Sequence, residues 1–107
     1  MADLTHVVAS NGDPVLVKDM LLALTAAELL YEDGSTQTFG ADGSTTFVEG
    51  GRPSLGEWSV VADGRFSSFW PPSYRAAYDI RWAVDDGRVV GLTFSGERGE
   101  RFSGRYR

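Results

Sequence analysis

The chain has 107 residues, no cysteine, one histidine and a net charge of −5, the profile of a single domain of ordinary size. These counts exclude a disulfide framework, a thiol nucleophile, a cysteine-based zinc site and any histidine-pair metal motif. The acidic balance argues against a general nucleic-acid binder, while 13 glycines and 12% aromatic residues favour a β protein rich in turns.

Residues 1–12 are polar and without period, and are expected to be a flexible N-terminus. His6 lies there, far from any residue that would make it a base. Asp13-Pro14 reads as a helix start, with Asp as N-cap and Pro in the first helical position. Val17, Met20, Leu21 and Leu24 then fall on one stripe, predicting a helix over 14–24 within a helical region 13–25. The longest apolar region, 15–30, is interrupted by Lys18, Asp19 and Glu28 and is too polar to span a membrane. With no basic leader before it, the expectation is a cytoplasmic protein without a membrane partner.

Beyond residue 25 the chain is punctuated by Asp33-Gly34, Asp42-Gly43, Asp63-Gly64 and Asp86-Gly87. Asp-Gly between β-rich runs signals a hairpin, because it supplies the two positive φ angles of a type I′ turn. Eight strands follow, over about 26–32, 35–40, 44–49, 56–62, 65–70, 74–84, 88–95 and 101–107. Thr25-Ala26-Ala27-Glu28 also fits a capping box, so 26–31 stays open between strand and helix. Short loops between all neighbours imply an all-β fold, an antiparallel up-and-down meander over 26–107 that closes into a barrel and removes its edges. Two-residue loops at Asp63-Gly64 and Asp86-Gly87 place Trp58 opposite Phe69, Trp82 opposite Gly91 and Ile80 opposite Thr93. With the Trp faces inward, Val61, Phe66, Leu92 and Phe94 are left outside, and a second apolar face asks for a partner. A homodimer is the expected solution.

The progression Tyr31-x-Asp33-Gly34-Ser35, Phe39-x-x-Asp42-Gly43, Gly56-x-Trp58-x-Val60, Asp63-Gly64-Arg65-Phe66 and Trp70 resembles the small bacterial calycin-like domains, lipocalin-type meander barrels. The resemblance covers about residues 24–107 and implies a lipocalin-type meander barrel.

No catalytic constellation stands out. Lys18 follows no glycine run, Ser67-Ser68 sit on a strand without a histidine, and Asp85-Asp86-Gly87 lacks the alternating ligands of a calcium loop. Glu57 and Asp79, near aromatic residues, are the one carboxylate pair of interest for a weak hydrolase or lyase. Residues 1–50 carry −7 (one Lys, eight acids) and 51–107 carry +2 (nine Arg, seven acids), but acids interleave with the arginines and no nucleic-acid face emerges. The leading reading is a non-catalytic barrel for a small apolar or amphipathic ligand, requiring no cofactor and no metal. The alternatives are an interaction module dimerising through a sheet face, or the weak carboxylate enzyme. In a meander, successive turns alternate between two ends. The wider connections at 50–55, 71–73 and 96–100 therefore share one end with Asp33-Gly34, and a mouth is expected there. Trp58, Phe69, Trp70, Tyr74 and Tyr78 map near that mouth, with Arg52 and Arg75 as the nearby cations for an anionic or hydrogen-bonding end of the ligand.

Overall fold

The computed structural model describes residues 3–107. Eight antiparallel strands close in sequence order into a barrel, β1 joining β8. They are β1 (Leu29–Tyr31), β2 (Thr36–Phe39), β3 (Ser44–Glu49), β4 (Arg52–Val60), β5 (Phe66–Trp70), β6 (Tyr74–Asp85), β7 (Arg88–Gly96) and β8 (Arg101–Tyr106), preceded by one helix, α1 (Val17–Thr25). Residues 26–31 are not helical. The chain leaves α1 at Ala26, Thr25 bonds back to the Leu21 carbonyl, and the Arg107 N–H donates to the Glu28 carbonyl at the closing seam.

Most of the Asp-Gly turns differ from the two-residue form. Only Asp86-Gly87 adopts it, with φ of 52° and 75°. At the other three, the Tyr31 N–H donates to Ser35, Gly40 to Ser44 and Val61 to Arg65 across three-residue loops, and Gly34, Gly43 and Gly64 take the positive φ. This is the type I turn followed by a glycine bulge. The aspartate side chain braces each loop from within. Oδ1 of Asp33 accepts from both the N–H and the hydroxyl of Ser35, and Asp42 does the same for Ser44. Asp63 accepts from the Arg65 N–H.

One extra loop residue shifts the register by one, which exchanges the two faces of a strand. Trp58 therefore faces Ser68, and Val60 faces Phe66, which turns Phe66 inward and Phe69 outward. On β6–β7, Val84 faces Val89 as expected, but a bulge follows and leaves Val90 without a partner. Beyond it Trp82 faces Leu92, Ile80 faces Phe94 and Tyr78 faces Gly96. Both apolar sets now share the interior, and Phe66, Leu92 and Phe94 are 2%, 0% and 1% exposed. Three of the four residues that called for a dimer are thus core, and only Val61 stays on the surface.

The helix begins at Val17, with Leu16 in the cap position and no side-chain cap. Asp13 and Pro14 do different work. β6 outruns β5, since the β5 pairing ends at Tyr78, and a bare strand edge needs cover. The chain before α1 supplies it: Gly12 donates to the Trp82 carbonyl, Trp82 to the Asp13 carbonyl and Val15 to the Ile80 carbonyl. Asn11 adds a side-chain acceptor for the Val84 N–H at 2.9 Å. The stretch expected to be flexible is therefore bonded to the barrel at Asn11 and Gly12, and Val7 and Ala9 pack on the core. From there α1 lays Met20, Ala23 and Leu24 into the same core as Trp82 and Phe39, while Val17 and Leu21 remain exposed. Burying Met20 and Leu24 stabilises the fold by about 1.5–3 kcal/mol each. The Tyr106 hydroxyl satisfies the Ala23 carbonyl in the last turn of α1. Among the described residues no helix is long and apolar enough to cross a membrane.

Candidate functional site

Tight turns and helical packing fill one end of the barrel, and the other end is hollow. The inward row of β4, β5 and β6 reads Trp58, Ser68, Ala76, with Trp58 packed toward the closed end and the small Ser68 facing the open one. Ser68 borders a cavity of about 690 Å³, within the range of small-molecule sites. It opens at the end bearing the β1–β2, β3–β4, β5–β6 and β7–β8 connections, the end expected to carry a mouth. The wall is uneven there. Tyr78 pairs with Gly96, the last residue of β7, so β6 rises above the β7–β8 hairpin.

Aromatic rings make most of the lining. Phe66 and Phe94 close the floor with ring centroids 5.6 Å apart, and Phe39 packs against both from below. Phe102 is the hub of the low wall, stacked on Phe94 at 5.0 Å and edge-on to Tyr78 and Tyr31 at 5.3 Å and 5.5 Å. Phe47 and Trp70 meet edge-on at 6.4 Å on the opposite side, where a shallower groove continues over Leu55, Pro71 and Tyr74. Edge-to-face contacts of this kind add about 0.5–1.5 kcal/mol each beyond area burial, so the wall is preformed.

A polar strip runs through this apolar lining. The Tyr31 hydroxyl donates to Gln37 Oε1 at 2.7 Å, Gln37 Nε2 donates to Thr45 Oγ1 at 2.9 Å, and Thr45 donates to the Thr38 carbonyl at 2.8 Å. Burial pushes the Tyr31 hydroxyl well above the usual phenol range. Burial, with Tyr74 beside it, raises Tyr78 as well. Both phenols therefore stay protonated donors across the physiological range. The charged residues of the lining, Glu32, Asp33 and Arg101, belong to the rim, at the β1–β2 loop and the start of β8.

Of the residues expected at the mouth, Trp70 and Tyr78 line the cavity and Tyr74 lines the adjoining groove. Trp58 is at the other end: its Nε1 donates to the Gly40 carbonyl at 2.9 Å and its ring stacks on Phe66. Phe69 faces outward with the Arg75 guanidinium 4.4 Å above its ring. Arg52 is exposed at the start of β4 and touches neither cavity nor groove, so the cation at the rim is Arg101. The carboxylates Glu57 and Asp79 are not brought together over the lumen: Glu57 lies outside in register with Phe69, and Asp79 pairs with Arg65 at 3.5 Å. No group of three or more metal-ligating side chains occurs among the described residues.

Tyr31, Gln37, Phe47, Ser68 and Phe102 were not legible as site residues under two-residue turns. For Tyr31, Gln37 and Phe47 the signal is the D-G-S tripeptide, whose serine bonds the aspartate in the three-residue loop; Ser68 and Phe102 carry no such mark. Comparison of the chain with family models, curated proteins and solved structures finds no match.

Proposed function

We propose that this barrel is a non-catalytic, calycin-like carrier that holds a small apolar or amphipathic molecule in its open half. The observation that carries the reading is the cavity of about 690 Å³ between Phe47 and Trp70 on one wall and Tyr31, Tyr78 and Phe102 on the other. The rings are held by one another and by the strands, so binding needs little reorganisation, which is where affinity is usually lost. The open mouth gives access, and the filled closed end fixes the depth. Arg101 at the rim, rather than Arg52 or Arg75, would meet a hydrogen-bonding tail.

The test is a titration with phenylnaphthylamine, a neutral dye that brightens in apolar surroundings. One saturable site per chain is expected. Trp70→Ala is expected to weaken it by about tenfold, since a buried aromatic wall residue contributes on the order of 1.5 kcal/mol or more. Folded wild-type protein that leaves the dye dark would overturn the proposal.

A further inference from the structure

The hydrogen-bond directions along the polar strip identify what the cavity lacks. Thr45 uses its only proton on the Thr38 carbonyl, so it must accept from Gln37, which turns Gln37 Nε2 toward Thr45 and Oε1 toward Tyr31. Tyr31 must then be the donor in its bond to Gln37. The orientation of the buried amide is thereby set by chemistry and not by a choice between two similar atoms. Ser68 is 3% exposed and lines the same cavity, yet its hydroxyl has no hydrogen-bond partner among the described residues. Every fully sealed side-chain N or O atom among them is hydrogen-bonded. The Ser68 hydroxyl is thus not sealed in the wall but open to the lumen. The Ser68 hydroxyl therefore faces an aromatic interior, and the charged residues of the lining, Glu32, Asp33 and Arg101, stand at the rim.

We propose that the ligand is an uncharged planar ring system whose carbonyl-type acceptor is directed inward, onto the Ser68 hydroxyl. A carbonyl oxygen accepts the hydroxyl proton that Ser68 has free. A carboxylate in the same place would be a buried charge with no cation, at a cost no neutral hydrogen bond offsets. A pure hydrocarbon would leave the Ser68 hydroxyl unpaired, and such sites discriminate against ligands that lack the matching group. This assignment rests on the carrier reading above and adds the chemical class.

Calorimetric titration with propionylnaphthalene, with propylnaphthalene as its hydrocarbon counterpart and with naphthoate as its anionic one separates the two levels. The wild type is expected to bind the ketone about five- to tenfold more tightly than the hydrocarbon, the equivalent of one neutral hydrogen bond, and to bind naphthoate more weakly than either. Ser68→Ala is expected to bring the ketone preference down to about one, and the change is small enough to preserve folding. Hydrocarbon binding equal to or tighter than ketone binding in the wild type would overturn the acceptor assignment while leaving the carrier reading intact. A ketone preference that survives Ser68→Ala would also overturn it. Absence of binding by all three compounds would overturn both.

Discussion

The indole of Trp70 occupies the space that a side chain on Gly56 would need: its Cε3 lies 2.6 Å from where a Cβ on that glycine would stand, and the Phe69 carbonyl lies at 2.8 Å. A large ring opposite a glycine is a familiar strand pairing, and here it sets the position of one cavity wall. Gly56→Ala is expected to push the indole into the lumen. The cost in stability is about 1–3 kcal/mol, typical of overpacking, with a loss of dye affinity and a shift in tryptophan emission. Equilibrium unfolding together with the phenylnaphthylamine titration checks both.

Trp58 and Trp70 are expected to part company when each is replaced by phenylalanine. Trp58→Phe removes the bond to the Gly40 carbonyl and disturbs the stack on Phe66, so it lowers stability by about 1–3 kcal/mol with little change in dye affinity. Trp70→Phe is expected to act mainly on affinity. Urea midpoints and dissociation constants, measured on both variants, decide the point.

Removal of the segment before α1 is expected to convert β6 into a sticky edge. A chain starting at Pro14 loses the bonds from Asn11 and Gly12 and the acceptor of the Trp82 N–H, and exposed strand edges pair with one another. The truncated chain should melt at a lower temperature and associate with rising concentration in sedimentation velocity. Asn11→Ala, which removes a single side-chain acceptor, should cost about 1 kcal/mol without association.

Acid sensitivity is expected to trace to the loop aspartates. The hydroxyl and N–H of Ser35 and of Ser44 hold the Asp33 and Asp42 carboxyls below the ordinary carboxylate range. A folded-state pKa below the unfolded one means that the contribution is present above the unfolded value, about 3.9, and is lost as the pH falls through the folded value. Stability should thus decline below about pH 4. Asp33→Asn with Asp42→Asn should flatten that decline, because the amide still accepts the turn bonds but does not titrate. Urea midpoints at neutral and acid pH provide the comparison.

Strand number, order and the barrel itself are legible in the chain, because turn chemistry and β-rich runs are local signals. Facing is not, because it hangs on single residues. Asp63-Gly64-Arg65 and Asp86-Gly87-Arg88 are the same tripeptide, yet the first closes a three-residue loop and the second a two-residue one, and Val90 shows no sign of being the bulged residue. With the register displaced, Phe69 moved outside and Ser68 inside, which is why Trp70 and Tyr78 were identifiable as cavity residues and Ser68 was not. The strap along β6 is also silent in sequence, since it is held by backbone groups and not by a periodic pattern.

The filled end and the hollow end of this barrel divide cohesion from contact. Trp82, Leu24, Met20 and Phe39 meet at the helix-capped end, while the lumen above Phe66 and Phe94 is bounded by residues that touch mostly each other and empty space. Substitutions at exposed rim positions such as Leu55 and Tyr74 therefore draw more lightly on folding stability than those in the helix-capped base. For the engineer the same partition marks out a region to randomise: positions 47, 55, 70, 74 and 102, above a base that is left untouched.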